Sequence, residues 1–198
     1  MNFVNMNNKI VLASSSPRRI ELLKNSLIDF ETTEHNFDEE SFINDNPVEY
    51  AQRLAYEKAL SVTDEFFFDK YVLGVDTIVE YEGKILGKPK NKTEAEENIR
   101  RLSGKTHEVI SGISIVNKQK KIEVTDRSIT KVTFTPLDEK FIRFYLDNNL
   151  YIGYAGGYAI QGIFGLVVEK IEGSYSNVVG LPMEKLYTIL YNLGVIFN

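Results

Sequence analysis

Residues 10–19 of this chain read IVLASSSPRR, a short apolar run that ends in three serines, a proline and two arginines. The β-branched apolar run at 10–13, bounded by small polar residues, predicts a buried strand. Ser16 before Pro17 predicts a helix N-cap with proline at the first helical position. The stretch therefore predicts a strand, a serine turn and a helix start in direct succession.

The start of that predicted helix carries two cations where cations are unfavourable. Arg18 and Arg19 fall in the first turn, the end of a helix that already bears partial positive charge. Free amide N–H groups, serine hydroxyls and two guanidinium groups together would make a strong site for an anion such as a phosphate. The alternative is a solvated first turn whose arginines point into water, and this segment alone leaves both interpretations open.

Size and composition limit the classes of function. The 198 residues suffice for one ordinary domain or two small lobes, and a 43% hydrophobic share is typical of a globular protein with a core. A net charge of −5 argues against a protein that binds DNA or RNA. The absence of cysteine excludes disulfides and thiolate metal sites. His35 and His107 have no metal-ligand spacing, so any metal would be a hard cation held by oxygen atoms.

No segment of the sequence predicts export or membrane insertion. Residues 1–9 lack the apolar core of a secretory signal, and no run approaches the ~20 apolar residues of a membrane span. We therefore expect a cytoplasmic protein without a membrane partner.

The remaining pattern alternates between strands and helices. Strands are predicted at 30–36, 71–81, 84–86, 108–116, 121–135 and 166–171. Helices are predicted at 47–62, at 138–148 and after Pro182. A further helix is predicted to begin at a capping box formed by Thr93 and Glu96 and to end at residue 102. Two predicted hairpins within this alternation indicate an α/β fold with a mixed, twisted sheet flanked by helices.

Two charged residues interrupt apolar surfaces. Asp76 lies inside an apolar strand, where it is either a metal ligand or general base facing a cleft, or a structural carboxylate bonded to loop amides. Lys58 lies on the apolar stripe of the predicted helix at 47–62. Its ammonium group either extends to water or reaches a buried anion.

Three further residues have both a functional and an ordinary interpretation. Lys88, between glycine and proline, is held at a fixed angle by its loop or is merely an exposed lysine. Glu39 belongs to an acidic loop that is either solvated or contributes a carboxylate beside Asp76 around Mg²⁺. Gln161, in a glycine-rich segment, has an amide that matches the edge of a nucleobase, or it belongs to a tight turn.

Residues 103–106, SGKT, match the end of the P-loop motif. The motif requires a glycine five residues before Gly104, where Ile99 stands, and it should follow a strand instead of a helix. We therefore exclude P-loop ATPase or GTPase chemistry.

Seven segments together resemble the Maf family of nucleoside triphosphate pyrophosphatases. They are LASSSPRR at 12–19, RLAYEKA at 53–59, GVDTIV at 74–79, GKP at 87–89, LSGKTH at 102–107, AGGYAIQG at 155–162 and GSYSNVVGLP at 173–182. The first and the last two are the most specific. The resemblance spans residues 10–193, nearly the whole chain.

This resemblance implies an activity, a fold and a set of site residues. It implies hydrolysis of a nucleoside triphosphate to the monophosphate and pyrophosphate with Mg²⁺ or Mn²⁺, in a single domain over 1–198. Two lobes around a central cleft, as in inosine triphosphate pyrophosphatases, and a homodimer are implied as well. Asp76 would be the general base and, with Glu39, a metal ligand. The substrate-binding and specificity positions are Ser14, Arg18, Arg19, Lys58, Thr77, Lys88 and Gln161.

The motifs around residues 16–19, 76–77 and 158–162 resemble the branch of the family that acts on dTTP and UTP. Tyr154 departs from the family pattern, because many relatives have lysine there. Two alternatives remain: a pyrophosphatase for modified or non-standard nucleotides, of 7-methyl-GTP or inosine type, and a nucleotide-binding regulator of cell division without catalysis.

Overall fold

The computed structural model describes residues 10–38, 46–63 and 66–197. In these ranges the strands are β1 (Ile10–Ala13), β2 (Phe30–Thr33), β3 (Tyr71–Tyr81), β4 (Lys84–Leu86), β5 (Thr106–Asn117), β6 (Ile122–Phe134) and β7 (Val168–Glu172). The helices are α1 (Pro17–Asn25), α2 (Pro47–Ser61), α3 (Lys92–Leu102), α4 (Glu139–Asp147), α5 (Tyr175–Val179) and α6 (Met183–Asn192). None of the described helices is long and apolar enough to cross a membrane.

The described strands form one mixed sheet in the order β2-β1-β3-β5-β6-β7, with β4 added to the edge of β3. Strands β2, β1 and β3 run parallel, whereas β3-β4, β3-β5, β5-β6 and β6-β7 are antiparallel. Both predicted hairpins are present, as β3-β4 and β5-β6. The predicted α/β fold with a mixed sheet and flanking helices is confirmed.

One edge of β3 is open between its two neighbours on that side. Strand β1 pairs only with 71–73 of β3, and β4 pairs only with 79–81. Within the described ranges, no strand pairs with residues 74–78 on this edge. The turn that follows β1 and begins α1 lies at the same opening, so the chain has a gap in the sheet where polar side chains from both faces can meet.

Helices cover both faces of the sheet. On one face α2 packs over β3 and β5, with Ala51, Ala55 and Ala59 fully buried. On the other face, α1 and α6 bury Leu23 and Leu186 in a core with β1, β3 and β5. Helices α3 and α4 form a separate core around the far ends of β5 and β6. These cores fix the elements that surround the gap.

Helix α2 approaches the sheet unusually closely at two glycines. A Cβ atom at Gly74 would lie well inside 3.0 Å of the Ala55 carbonyl oxygen, and one at Gly112 equally close to the Ala51 carbonyl. Gly112 pairs with Asp76 and Gly74 pairs with Ser114, so the two glycines are diagonal neighbours on β3 and β5 and form a shallow trough under the helix. Because the helix backbone rests in this trough, Lys58 on α2 lies beside Asp76 on β3.

Most predicted boundaries agree with the structure, and one local prediction is wrong. Ser16 is the N-cap of α1 and Pro17 its first residue, although the Ser16 side chain makes no capping hydrogen bond. The capping box at Thr93 is wrong, because Asn91 caps α3 and its side chain accepts from the Glu94 amide.

A substitution in the trough tests how closely α2 packs against β3. Replacing Gly74 with alanine should lower the free energy of unfolding by about 3 kcal/mol or more, because the new methyl group meets helix backbone that cannot rotate away. Urea denaturation measures the change. Gly87→Ala is the matched control, since nothing lies within 4 Å of a Cβ there. Equal stability of the two variants would contradict the close approach.

Candidate active site

A cavity of about 470 Å³ opens at the gap in the sheet. This volume lies within the range of small-molecule sites. Side chains from both faces of β3 reach it, because successive residues of a strand point to opposite faces and both Asp76 and Thr77 line it. Eight of the nine residues predicted for the site line the cavity: Ser14, Arg18, Arg19, Lys58, Asp76, Thr77, Lys88 and Gln161. Glu39 lies outside the described residues.

Lys58 and Asp76 form a buried ion pair in the wall of the cavity. The Lys58 Nζ lies 2.5 Å from an Asp76 carboxylate oxygen, and the two residues are 3% and 7% exposed. Lys58 therefore reaches a buried anion and does not extend to water. Among described residues, no loop amide donates to Asp76, which disfavours the purely structural interpretation of that carboxylate. Burying such a pair costs desolvation energy that its attraction barely repays, so its presence is more easily explained by function.

Arg19 is held by hydrogen bonds from each of its three guanidinium nitrogens. Its Nε donates to the Gly180 carbonyl at 2.8 Å, one terminal nitrogen to the Ser14 hydroxyl at 3.1 Å, and the other to the Thr77 hydroxyl at 3.3 Å. The Thr77 hydroxyl is itself 2.8 Å from the Ser111 hydroxyl. The guanidinium is thereby fixed beside the strand residue that follows Asp76.

Hydrogen bonds within and around the segment 173–182 hold the Gly180 carbonyl in position. Asn177 is fully buried, and its amide donates to the Val109 carbonyl at 3.0 Å and to the Thr130 hydroxyl at 2.9 Å. Gly180 then ends α5 with φ +127°, a conformation that side-chain-bearing residues rarely adopt. The motif at 173–182 had no predicted role. Its asparagine and its glycine, Asn177 and Gly180, are the residues from which a loop that positions a backbone carbonyl could have been predicted.

Arg18 takes a different direction from Arg19. Its guanidinium carbon lies 4.0 Å from the centroid of the Tyr154 ring, a cation–π contact. Burial lowers the pKa of Arg18 below its ordinary value. Its Nε atom is buried, and no residue in the described ranges accepts a hydrogen bond from it.

Two glycine-containing loops meet at the rim of the cavity. The Gly156 amide donates to the Gly87 carbonyl at 2.9 Å, which ties the loop that carries Lys88 to the segment that leads to Gln161. Gly156 has φ +67°, and a Cβ there would be 3.0 Å from the Val79 side chain. Lys88 and Gln161 themselves are exposed at the cavity mouth.

A known family covers nearly the whole chain. Residues 9–193 match the family model described as Maf-like protein. The chain belongs to the Maf family.

Among the relatives of this Maf chain are proteins named dTTP/UTP pyrophosphatase. The one from Thermoanaerobacter sp. (strain X514) is 47% identical over 182 residues, covering 92% of this chain and 95% of the relative. The one from Clostridium tetani is 45% identical over 187 residues, covering 93% and 97%. A solved nucleoside-triphosphatase / dITP/XTP pyrophosphatase from Mycobacterium abscessus is similar to 65% of this chain and 75% of its own, with a TM-score of 0.41 and 13% identity.

The Maf cavity is strongly positive although the chain is acidic. Its described lining contains Arg18, Arg19, Lys58 and Lys88 but a single carboxylate, Asp76. In the part of the chain that the structure describes, no group of three or more His, Cys, Asp or Glu side chains could hold a metal. One carboxylate is nevertheless a suitable donor for Mg²⁺, which usually binds through one or two carboxylates together with substrate phosphates.

Two features of the cavity that involve histidines were not predicted from the sequence. His35 lines the cavity, although its sequence context gave no signal beyond the residue type. His107 lies beneath the cavity, where its Nε2 is 2.7 Å from the hydroxyl of Tyr158, a lining residue. His107 is 2% exposed, its ring packs edge-on against Phe134, and burial lowers its pKa to about 4.

His107 should make the stability of the protein depend on pH. Because its pKa is about 4 in the folded protein and 6.5 when unperturbed, the unfolded chain binds the extra proton between these values. The contribution is complete above pH 6.5 and is lost as the pH falls towards 4, by up to about 3 kcal/mol. Urea denaturation across this range should give a shallower pH slope for His107→Gln than for the parent. Identical slopes below pH 6.5 would contradict a buried neutral ring.

Proposed function

We propose that this chain hydrolyses dTTP and UTP to the monophosphate and pyrophosphate. The observation that carries the proposal is the cavity at the gap in the sheet, where the buried Asp76 carboxylate stands among four cationic side chains of the described lining. The relatives named dTTP/UTP pyrophosphatase, at 40–47% identity over most of the chain, support the same substrate class.

The cations provide a place for the triphosphate. Arg19 is already oriented by three hydrogen bonds, so it can contact phosphate oxygens at little further cost in side-chain entropy. Lys58 lies next to the carboxylate, and Lys88 lies on the rim loop. Placed around the phosphates, these groups would neutralise the charge that develops on the departing pyrophosphate.

Asp76 is proposed as the group that acts on water. Its carboxylate would accept the proton of a water molecule as the water oxygen attacks the α-phosphorus. The bond from the α-phosphorus to the bridging oxygen breaks, and pyrophosphate leaves with the electron pair. Because polar contacts hold Arg19 and Lys58 in place, positioning and charge neutralisation would supply most of the catalysis.

A divalent cation, Mg²⁺ or Mn²⁺, is part of the proposal. Asp76 would hold it, together with phosphate oxygens of the substrate, and Glu39 is the proposed second carboxylate ligand. When bound, such an ion polarises the phosphoryl group and offsets its negative charge. The proposal therefore gives Asp76 two roles, general base and metal ligand.

We propose further that residues 1–198 act as one domain in the cytoplasm, and as a homodimer. The family match over residues 9–193 supports the first of these. Analytical ultracentrifugation measures the oligomeric state directly, and a monomer at micromolar concentration would contradict the dimer.

A panel of nucleotides tests the activity against its rivals. Pyrophosphate release should be fastest with dTTP and UTP, slower with CTP, ITP and 7-methyl-GTP, and lost when EDTA removes divalent ions. A preference for ITP or 7-methyl-GTP would favour an enzyme for modified nucleotides. Tight nucleotide binding with no pyrophosphate release from any of the five would favour a non-catalytic regulator.

Asp76→Asn should abolish pyrophosphate release. The same change leaves the Lys58 ammonium buried without its carboxylate, so it should also cost about 3–5 kcal/mol of stability. The double variant Asp76→Asn with Lys58→Met removes the unpaired charge and should recover most of that stability without recovering turnover. Activity and urea denaturation, measured together, separate the two effects. Near-normal turnover in Asp76→Asn would show that the role assigned to this carboxylate is wrong.

A further inference from the structure

The two adjacent arginines of α1 serve different ends of the cavity. Consecutive residues of a helix point about 100° apart, and the side chains of Arg18 and Arg19 contact different groups of the protein. Arg19 is bound to Thr77 and Gly180, beside Asp76. Arg18 instead lies against Tyr154. One arginine is thus placed with the phosphate-binding groups, and the other is available for another part of the ligand.

Arg18 lies on the wall of the cavity that includes Gln161. Its charge interacts with Tyr145 as well as with Tyr154. The Tyr145 hydroxyl accepts from the Ala159 amide at 3.3 Å and donates to the Leu150 carbonyl at 2.7 Å. Ala159 is two residues from Gln161, and Arg18, Tyr154 and Gln161 all line the same cavity.

The Tyr154 ring limits the positions that the Arg18 guanidinium can take. A face-on contact at 4.0 Å blocks one side of the group and opposes rotation. The Arg18 Nε is buried, so it cannot meet a ligand, whereas neither terminal nitrogen donates to any residue in the described ranges. The stacked guanidinium therefore offers in-plane donors to whatever occupies this end of the cavity.

We propose that Tyr154 is a positioning residue for base recognition. By holding Arg18 in a plane, it directs the terminal N–H groups towards a carbonyl oxygen of the base, while the Gln161 amide is placed to accept from the neighbouring ring N–H. Uracil and thymine carry a carbonyl at C4, where cytosine carries an amino group that would oppose the arginine donors. Tyr154 thereby favours 4-oxo over 4-amino pyrimidine triphosphates; this inference rests on the proposed function.

The decisive measurement is the ratio of kcat/KM for UTP to that for CTP. Tyr154→Leu keeps an apolar side chain of similar reach but removes the aromatic face, and we expect it to lower the ratio about fivefold to tenfold, mainly through a higher KM for UTP. Tyr154→Phe keeps the face and should preserve the ratio. Tyr191→Leu is the matched control, because this half-exposed tyrosine does not line the cavity.

A second variant keeps the test independent of folding at position 154. Arg18→Lys retains the charge but loses the planar fork, so it should lower the UTP-to-CTP ratio by a similar factor. Adding Tyr154→Leu to it should then lower the ratio no further, because the ring acts through the guanidinium.

The outcomes distinguish this inference from the proposed function. If the parent protein releases no pyrophosphate from any nucleotide, the proposed function is wrong. If the parent is active and Tyr154→Leu leaves the ratio unchanged, or lowers kcat/KM equally for UTP and CTP, the positioning role is overturned while the proposed function stands.

Discussion

The ion pair between Lys58 and Asp76 is the interaction on which the site depends, and it exists only because a helix lies closer to the sheet than most side chains would permit. Gly74 and Gly112 remove the Cβ atoms that would hold α2 away. The result is two charges that are nearly excluded from water at a position where the sheet has an open edge. A pair of hydrophobic residues often fills such a space at equal or lower energetic cost, so the ion pair by itself does not account for the stability of the fold, which agrees with the role proposed for Asp76.

The same opening explains why distant segments of the chain carry the site. Strand β1 stops after three pairs with β3, and its serine turn then brings the first turn of α1 across the unpaired edge. From the other side, α5 ends in Gly180, whose carbonyl orients a guanidinium 161 residues away in sequence. Each of these segments is held by its own hydrophobic core, which leaves the polar groups between them fixed before a ligand arrives.

The features that could be predicted from the sequence are those set by neighbouring residues, such as strands and helix starts. The apolar alternation of 71–81 and the proline at position 17 specify a strand and a helix start, and both are found where expected. The capping prediction at Thr93 fails because Asn91, two residues earlier, offers a better acceptor to the same turn. The partners of Lys58, Arg19 and Arg18 could not be derived locally, because each contact crosses between elements whose packing the sequence pattern does not specify. The family resemblance supplied the site positions, but not the contacts that orient them.

The whole chain is negatively charged, whereas the cavity is positively charged. This contrast affects how the protein would discriminate between a free nucleotide and a nucleic acid. A chain with a net charge of −5 repels a long polyanion, whose many phosphates must approach the surface at once. A single nucleotide, the proposed substrate, would meet a cavity whose described lining carries four cationic side chains against one carboxylate, and there the local potential would dominate. Discrimination between a free triphosphate and a nucleic acid then needs no dedicated steric barrier. It follows from placing the positive charge in a recess and the negative charge elsewhere.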